Sequence, residues 1–323
     1  MLNQFALPTL AAPHLLRQPS FVIEQVVSCA NHLGEGPVWD VEQQCLYWVD
    51  STGRRIGQPG IWRLDPKSGK LTTWDAGRDI GAMALCLDGK RAVLALDDGF
   101  YIFDLERGDL DKVAHVDDEP GRARLNDGKV DRRGRFFAGG MDDKEELGVC
   151  GLWRLDPDLA LTKVDDGIIC SNGPCWSPDD KTFYFADTFK HEIWAYDYDI
   201  ETGSTSNRRV FVSTKNDGGF ADGSTVDAEG YLWNAQVISG DLIRYAPDGK
   251  VDRKISMPAR NITSVMFGGK NLDEIYVTSM ARVSHPAAHE HFAVEVKPQH
   301  AAGSVFKITG LGIKGIAEHR FGG

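Results

Sequence analysis

The chain repeats itself. "EGPVWDVEQQCLYWVD", "GAMALCLDGKRAVLAL", "DGKVDRRGRFFAGG", "NGPCWSPDDKTFYFAD", "DGSTVDAEGYLWNA" and "ITSVMFGGKNLDEIYVTS" share one plan: a short strand, a turn rich in Asp, Gly or Pro, and a second strand of aromatic and β-branched residues. Four copies continue into a third strand of one kind, "GIWRLDPKSGKL", "GLWRLDPDLAL", "EIWAYDYDIETG" and "DLIRYAPDGKV". Anchored at Gly36, Ala82, Gly128, Gly173, Gly223 and Thr263, the copies advance by 46, 46, 45, 50 and 40 residues. A period of about 45 residues with three or four strands per unit is that of propeller blades.

The expected fold is therefore all-β, a six-bladed β-propeller with about four strands per blade. Residues 1–19 read as an N-terminal tail and 20–323 as one domain. The segment "SFVIEQVV" (Ser20 to Val27) is strand-like and precedes the first copy. It is expected to join the last blade and close the ring, which removes exposed sheet edges. With 42% hydrophobic and 26% charged residues, the chain has the composition such a domain needs.

In a propeller the first strand of each blade lies against the central channel, so the residues leading into those strands converge at one mouth. Just ahead of each anchor stand Glu35, Gly81, Asp127, Asn172, Asp222 and Ile262, so four of six positions bear a side-chain oxygen. Three carboxylates and an amide aimed at one point repel one another unless a cation neutralises them. Oxygen donors favour Ca²⁺, Mg²⁺ or Mn²⁺, and an open mixed site also accepts Zn²⁺ or Fe²⁺. One divalent ion is expected, with Ca²⁺ first among these.

"LGEGPVWD", "RLNDGKVDRRGRFFAGGM", "SNGPCWSPDDKTFYFAD" and "DGSTVDAEGYLW", in that order and spacing, resemble the senescence marker protein-30, gluconolactonase and regucalcin family. The resemblance implies a six-bladed propeller with one divalent metal in its channel, hydrolysing a sugar lactone to an aldonic acid. It implies that Glu35, Asn172 and Asp222 are metal ligands, that Asp222 is also the general base, and that Arg124 and Asn126 hold substrate hydroxyls. It gives Asp127 no direct role and leaves it structural or supporting the ligands from behind. Where the family often places a lid acid, three residues beyond the Met of "FAGGM", this chain has Lys144, flanked by Asp142, Asp143, Glu145 and Glu146. Two other functions fit the same residues: another esterase or phosphotriesterase-like hydrolase, and a calcium-binding propeller that is not an enzyme. Arg124 argues against the last, because a pure cation site has no use for a guanidinium beside it.

Other features have plainer readings. The glycine-rich "DSTGRRIGQPGIW" is either a channel-edge loop or a connection. His285, His289 and His291 are better explained as solvated loop residues than as a transition-metal site. Cys170 and Cys175 read as buried thiols, and Trp39, Trp62, Trp153, Trp176, Trp194 and Trp233 as packing between blades. Asp187 and Gln236 end second strands and either reach the channel or finish a turn. The six cysteines form no CxxC pair, which suits reduced thiols in a cytoplasm. A net charge of -11 and a pI of 5.3 disfavour nucleic acid or anionic membrane as the main partner. No stretch approaches the ~20 apolar residues of a membrane span, and nothing in the sequence fixes the oligomeric state.

Overall fold

The computed structural model describes residues 21–281 and 301–323, together with the backbone of 15–18. His285, His289 and His291 lie outside the described residues.

Six antiparallel sheets are arranged in a ring. Their innermost strands are Gly34–Asp40, Ala82–Leu85, Ala123–Val130, Ser171–Trp176, Phe220–Val226 and Ile262–Gly268, each holding one repeat anchor. Consecutive innermost strands touch, and the last touches the first. Five sheets have four strands; the sixth has five, in the order Ile262–Gly268, Glu274–Ser279, Val305–Thr309, Phe21–Val27 and Leu15–Gln18. Phe21–Val27 pairs antiparallel with Val305–Thr309, Val22 opposite Thr309, and so closes the ring as its sequence predicts. Leu15–Gln18 adds a further outer strand within the stretch expected to be tail.

The burial pattern explains why the repeat survives in the sequence. A blade presses both faces against its neighbours, so inner strands are buried on both sides and read as continuous apolar runs, as at Cys45–Asp50 and Phe136–Asp142. Outer strands keep an exposed face, as at Val251–Ser256. One apolar cluster fills each seam between adjacent blades. The six expected tryptophans all lie buried in these seams, Trp233 with no exposure and Trp153, the most exposed, with 8%. Trp39 stacks on Tyr276 across the seam joining first and last blades, with ring centroids 5.4 Å apart.

The far end of the channel is covered. After the last strand the chain runs back beneath the ring: Ala228 N–H donates to Lys314 C=O, Phe321 N–H to Leu85 C=O, and Gly322 N–H to Gly134 C=O. Residues 316–319 lie against the innermost strands of all six blades. Phe321, with no exposure, is sunk in the seam between the second and third blades.

Candidate active site

The innermost strands do not enter their sheets smoothly. Pairing shifts by one residue between Glu35 and Val38, Leu125 and Gly128, Asn172 and Cys175, Ala221 and Ser224, and Ile262 and Val265. Each shift is a β-bulge, and a bulge at a strand's entrance re-aims a side chain out of the sheet. At Glu35 the bulge needs Gly36 at φ 49°, a left-handed angle that a side chain resists. The innermost strand of the second blade enters without a bulge. A Cβ on Gly81 would stand 2.5 Å from the carbonyl oxygens of Leu125 and Asn126, so that blade yields its place to the backbone of the third.

These entrances surround a cavity of about 70 Å³ lined by Glu35, Arg124, Asn126, Asn172 and Asp222, the residues singled out in the sequence. Asn126 donates through Nδ2 to Ser171 C=O at 2.9 Å and to Asn172 Oδ1 at 3.1 Å. Asn172 in turn donates to Thr188 Oγ1 at 2.8 Å, and Thr188 donates to Ala221 C=O at 2.8 Å. A chain of hydrogen bonds thus runs from the third blade through the fourth to the residue before Asp222. On the other side of Asp222, Asn234 Nδ2 holds its carbonyl at 2.8 Å. Arg124 Nη1 donates to Asn126 Oδ1 and to Leu125 C=O, both at 3.0 Å, and its Nε faces Asp143 at 3.2 Å. Arg124, Asn172 and Asp222 are buried, whereas Glu35 is half-buried.

Asp127 is absent from this cavity. The register drawn from the repeat aligns it with Asp222, but in the pairing Asn126 follows the last paired residue, Leu125, as Asp222 follows Ala221. Asp127 turns into the seam, where its carboxylate accepts from Gly128 N–H and Gly173 N–H, both at 2.8 Å. Burial raises its pKa against those hydrogen bonds and the charge of Lys129. It fixes the third blade to the backbone beside Asn172.

The structure also settles the places of the remaining candidates and adds Glu145 and Asp50. Lys144 is exposed, while its neighbour Glu145 lies on the cavity wall with φ 61°. Asp187 does not reach the cavity. Its buried carboxylate receives Ile169 N–H at 3.0 Å and Cys170 N–H at 3.2 Å, pinning the loop that leads to Asn172. Asp50 does the same for the Glu35 loop, accepting from His32 N–H at 2.9 Å and Leu33 N–H at 2.8 Å. Both occupy the last position of a second strand, a repeat-level signal visible in "LYWVD" and "FYFAD". Gln236 lies one residue before the end of its strand, Leu232–Val237, and is buried against Asn234. Cys170 lines the cavity and Cys175 does not; burial raises both thiols, Cys175 to about 12. All six cysteines are free and buried. Leu33, Met141, Phe189, Phe220, Val237 and Met280 complete an apolar wall, Phe189 against Phe220 at 5.4 Å.

The model for the SMP-30/Gluconolactonase/LRE-like region matches residues 33–281, three quarters of the chain. The chain belongs to this family. Among its SMP-30/gluconolactonase relatives, regucalcin of Xenopus laevis is 38% identical over 310 residues, 94% of this chain and 99% of the relative. A solved luciferin-regenerating enzyme superposes with a TM-score of 0.82 at 29% identity, over 93% of this chain and 99% of that one. A calcium-binding protein, regucalcin, from Agrobacterium tumefaciens gives a TM-score of 0.80 at 28% identity, over 91% and 95%.

Among the described residues no three His, Cys, Asp or Glu side chains cluster closely enough to hold a metal. The family's propeller here brings two carboxylates, Glu35 and Asp222, to the cavity with an amide, Asn172, as the third oxygen donor. No helix among the described residues is long and apolar enough to cross a membrane.

Proposed function

We propose that this cavity hydrolyses a sugar lactone to the corresponding aldonic acid with the help of one divalent cation. The observation that carries the reading is the meeting on one small cavity of oxygen donors from three blades with a guanidinium and a second amide. A site for a cation alone gains nothing from Arg124; a site for a polyhydroxylated carbonyl compound does.

The residues present fit a hard divalent ion. Glu35 and Asp222 offer carboxylate oxygens, and Asn172 spends its N–H donor on Thr188, which leaves Oδ1 turned toward the cavity side of Asn126. When bound there, the ion supplies a Lewis acid that stabilises negative charge on the lactone carbonyl oxygen. Asp222 accepts a proton from water as the water oxygen bonds to the carbonyl carbon. It returns that proton to the ring oxygen as the C–O bond breaks, leaving a carboxylic acid and a free hydroxyl. Arg124 and Asn126, already joined to each other and to the backbone, orient the substrate's hydroxyls without rearranging. The apolar wall gives the sugar's C–H face a surface and strengthens each polar contact by keeping water out.

The test is a panel of aldonolactones, with aryl esters and organophosphates alongside, given to protein stripped by EDTA and restored with Ca²⁺, Mn²⁺, Zn²⁺, Mg²⁺ or Fe²⁺. Acid release from a lactone by the restored wild type, lost in Asp222→Asn with an unchanged circular dichroism spectrum, is the expected result. Restored protein that binds the cation yet opens no lactone overturns the reading and favours a propeller that only binds calcium, the Agrobacterium relative being a calcium-binding protein.

A further inference from the structure

A second cavity adjoins the first. It measures about 360 Å³ and is walled by loops of the first three blades, and Arg124 lines both cavities. Four arginines and five aspartates line it, and nearly every charge is matched. Arg55 meets Asp79 at 2.6 Å; Arg78 pairs with Asp97 and, at 3.0 Å, with Asp98. Lys112 also reaches Asp98 at 2.8 Å. Asp118 accepts from Gly151 N–H and Trp153 Nε1, both at 3.1 Å, with Lys163 at 3.6 Å. Arg124 faces Asp143 at 3.2 Å. Arg54 is the exception: exposed on the wall, its guanidinium has no ion-pair or hydrogen-bond partner among the described residues, although five aspartates line the same cavity.

The local backbone accounts for this. Arg54 and Arg55 stand on the 3-10 turn Gly53–Ile56 that follows the second strand of the first blade. That turn sits on Asp50: a Cβ on Gly53 would lie 2.7 Å from Asp50 Oδ2, the oxygen that also holds His32 N–H. The residue that fixes the Glu35 loop therefore also fixes the turn carrying Arg54.

We propose that this cavity is a subsite for an anionic group on the far end of the substrate, with Arg54 as its cation. The inference rests on the lactonase reading of the adjoining cavity and deepens it: the preferred lactone carries a carboxylate or phosphate remote from the ring carbonyl. A chain of net charge -11 repels such a molecule overall, so a local unmatched guanidinium is what would admit it. A planar fork suits either oxyanion, and the paired charges around it leave no second cation to compete.

The experiment compares glucono-δ-lactone, which is neutral, with a glucarolactone bearing a carboxylate and 6-phosphoglucono-δ-lactone bearing a phosphate, in wild type, Arg54→Gln and Arg54→Lys. In parallel, gluconate, glucarate and 6-phosphogluconate are titrated calorimetrically into metal-free protein. Wild type is expected to turn over one charged lactone with kcat/KM about tenfold above the neutral one. Arg54→Gln removes that preference while changing the neutral lactone less than twofold, and Arg54→Lys restores part of it. The preferred lactone tells carboxylate from phosphate. Equal rates on charged and neutral lactones, or an equal fall on all three in Arg54→Gln, overturns the subsite and leaves the lactonase standing. Absence of all turnover with dianion binding that Arg54→Gln weakens about tenfold sinks the lactonase and keeps the subsite; absence of both overturns both.

Discussion

At the scale of single residues, what could be read in advance was what the repeat controls. Glu35, Asn172 and Asp222 were legible because each precedes an anchor, and three blades point such positions at one place. Asp127 falls in line with Asp222 only because the third copy is anchored one residue late at Gly128: the bulge is the same in both blades, and the pairing sets Asn126, not Asp127, level with Asp222, which leaves Asp127 the supporting role expected of it. Glu145 was missed because it sits where the chain reverses through φ 61°, beyond any strand period. Two outcomes follow for side chains on the cavity. Asp222→Asn lowers kcat on a lactone by about 10²- to 10⁴-fold with little change in thermal stability, measured by initial rates and melting curves. Arg124→Lys keeps the charge but loses the planar fork, which serves Asn126 and Leu125 C=O through Nη1 while Nε faces Asp143. It raises KM more than it lowers kcat, a split read from full saturation curves.

At the scale of elements, the recurrent device is the aspartate that ends a second strand and gathers the N–H groups of the loop leading into its own blade's first strand. Its sequence signal was present in "FYFAD" and "LYWVD", but sequence alone does not say whether an aspartate faces the channel or the backbone. Asp187→Ala strands two N–H groups and costs about 1–3 kcal/mol for each left without an acceptor. Asp187→Asn, which keeps an oxygen there, costs less, and chemical denaturation of the two variants measures the gap. Asp142 also ends a second strand, in the third blade, but gathers the loop that follows it. Burial opposes its charge, but Arg122 and the N–H groups of Leu147, Lys144 and Glu146 outweigh burial and hold its carboxyl well below the usual value of 3.8. A depressed folded pKa contributes stability that is complete above the unfolded value and drains away as pH falls toward the folded one. The melting temperature of Asp142→Asn therefore lies below wild type at neutral pH, and the gap narrows once the pH drops beneath about 4.

At the scale of the whole molecule, the ring was legible from six copies and a spare strand, and the covering of its far end was not. Residues 311–323 belong to no copy, and only the closed ring creates the channel end against which they lie. Phe321 is the anchor of that segment, and Phe321→Ala costs about 3–5 kcal/mol by emptying a filled seam. Thermal melts check the loss. Because residues 316–319 stopper the channel, the propeller is a cup and not a pipe. A ligand therefore enters and leaves by the same mouth. On the proposed lactonase function, an aldonic acid that lingers in the cup blocks the next lactone by simple occupancy, and progress curves bend early through competitive inhibition by product.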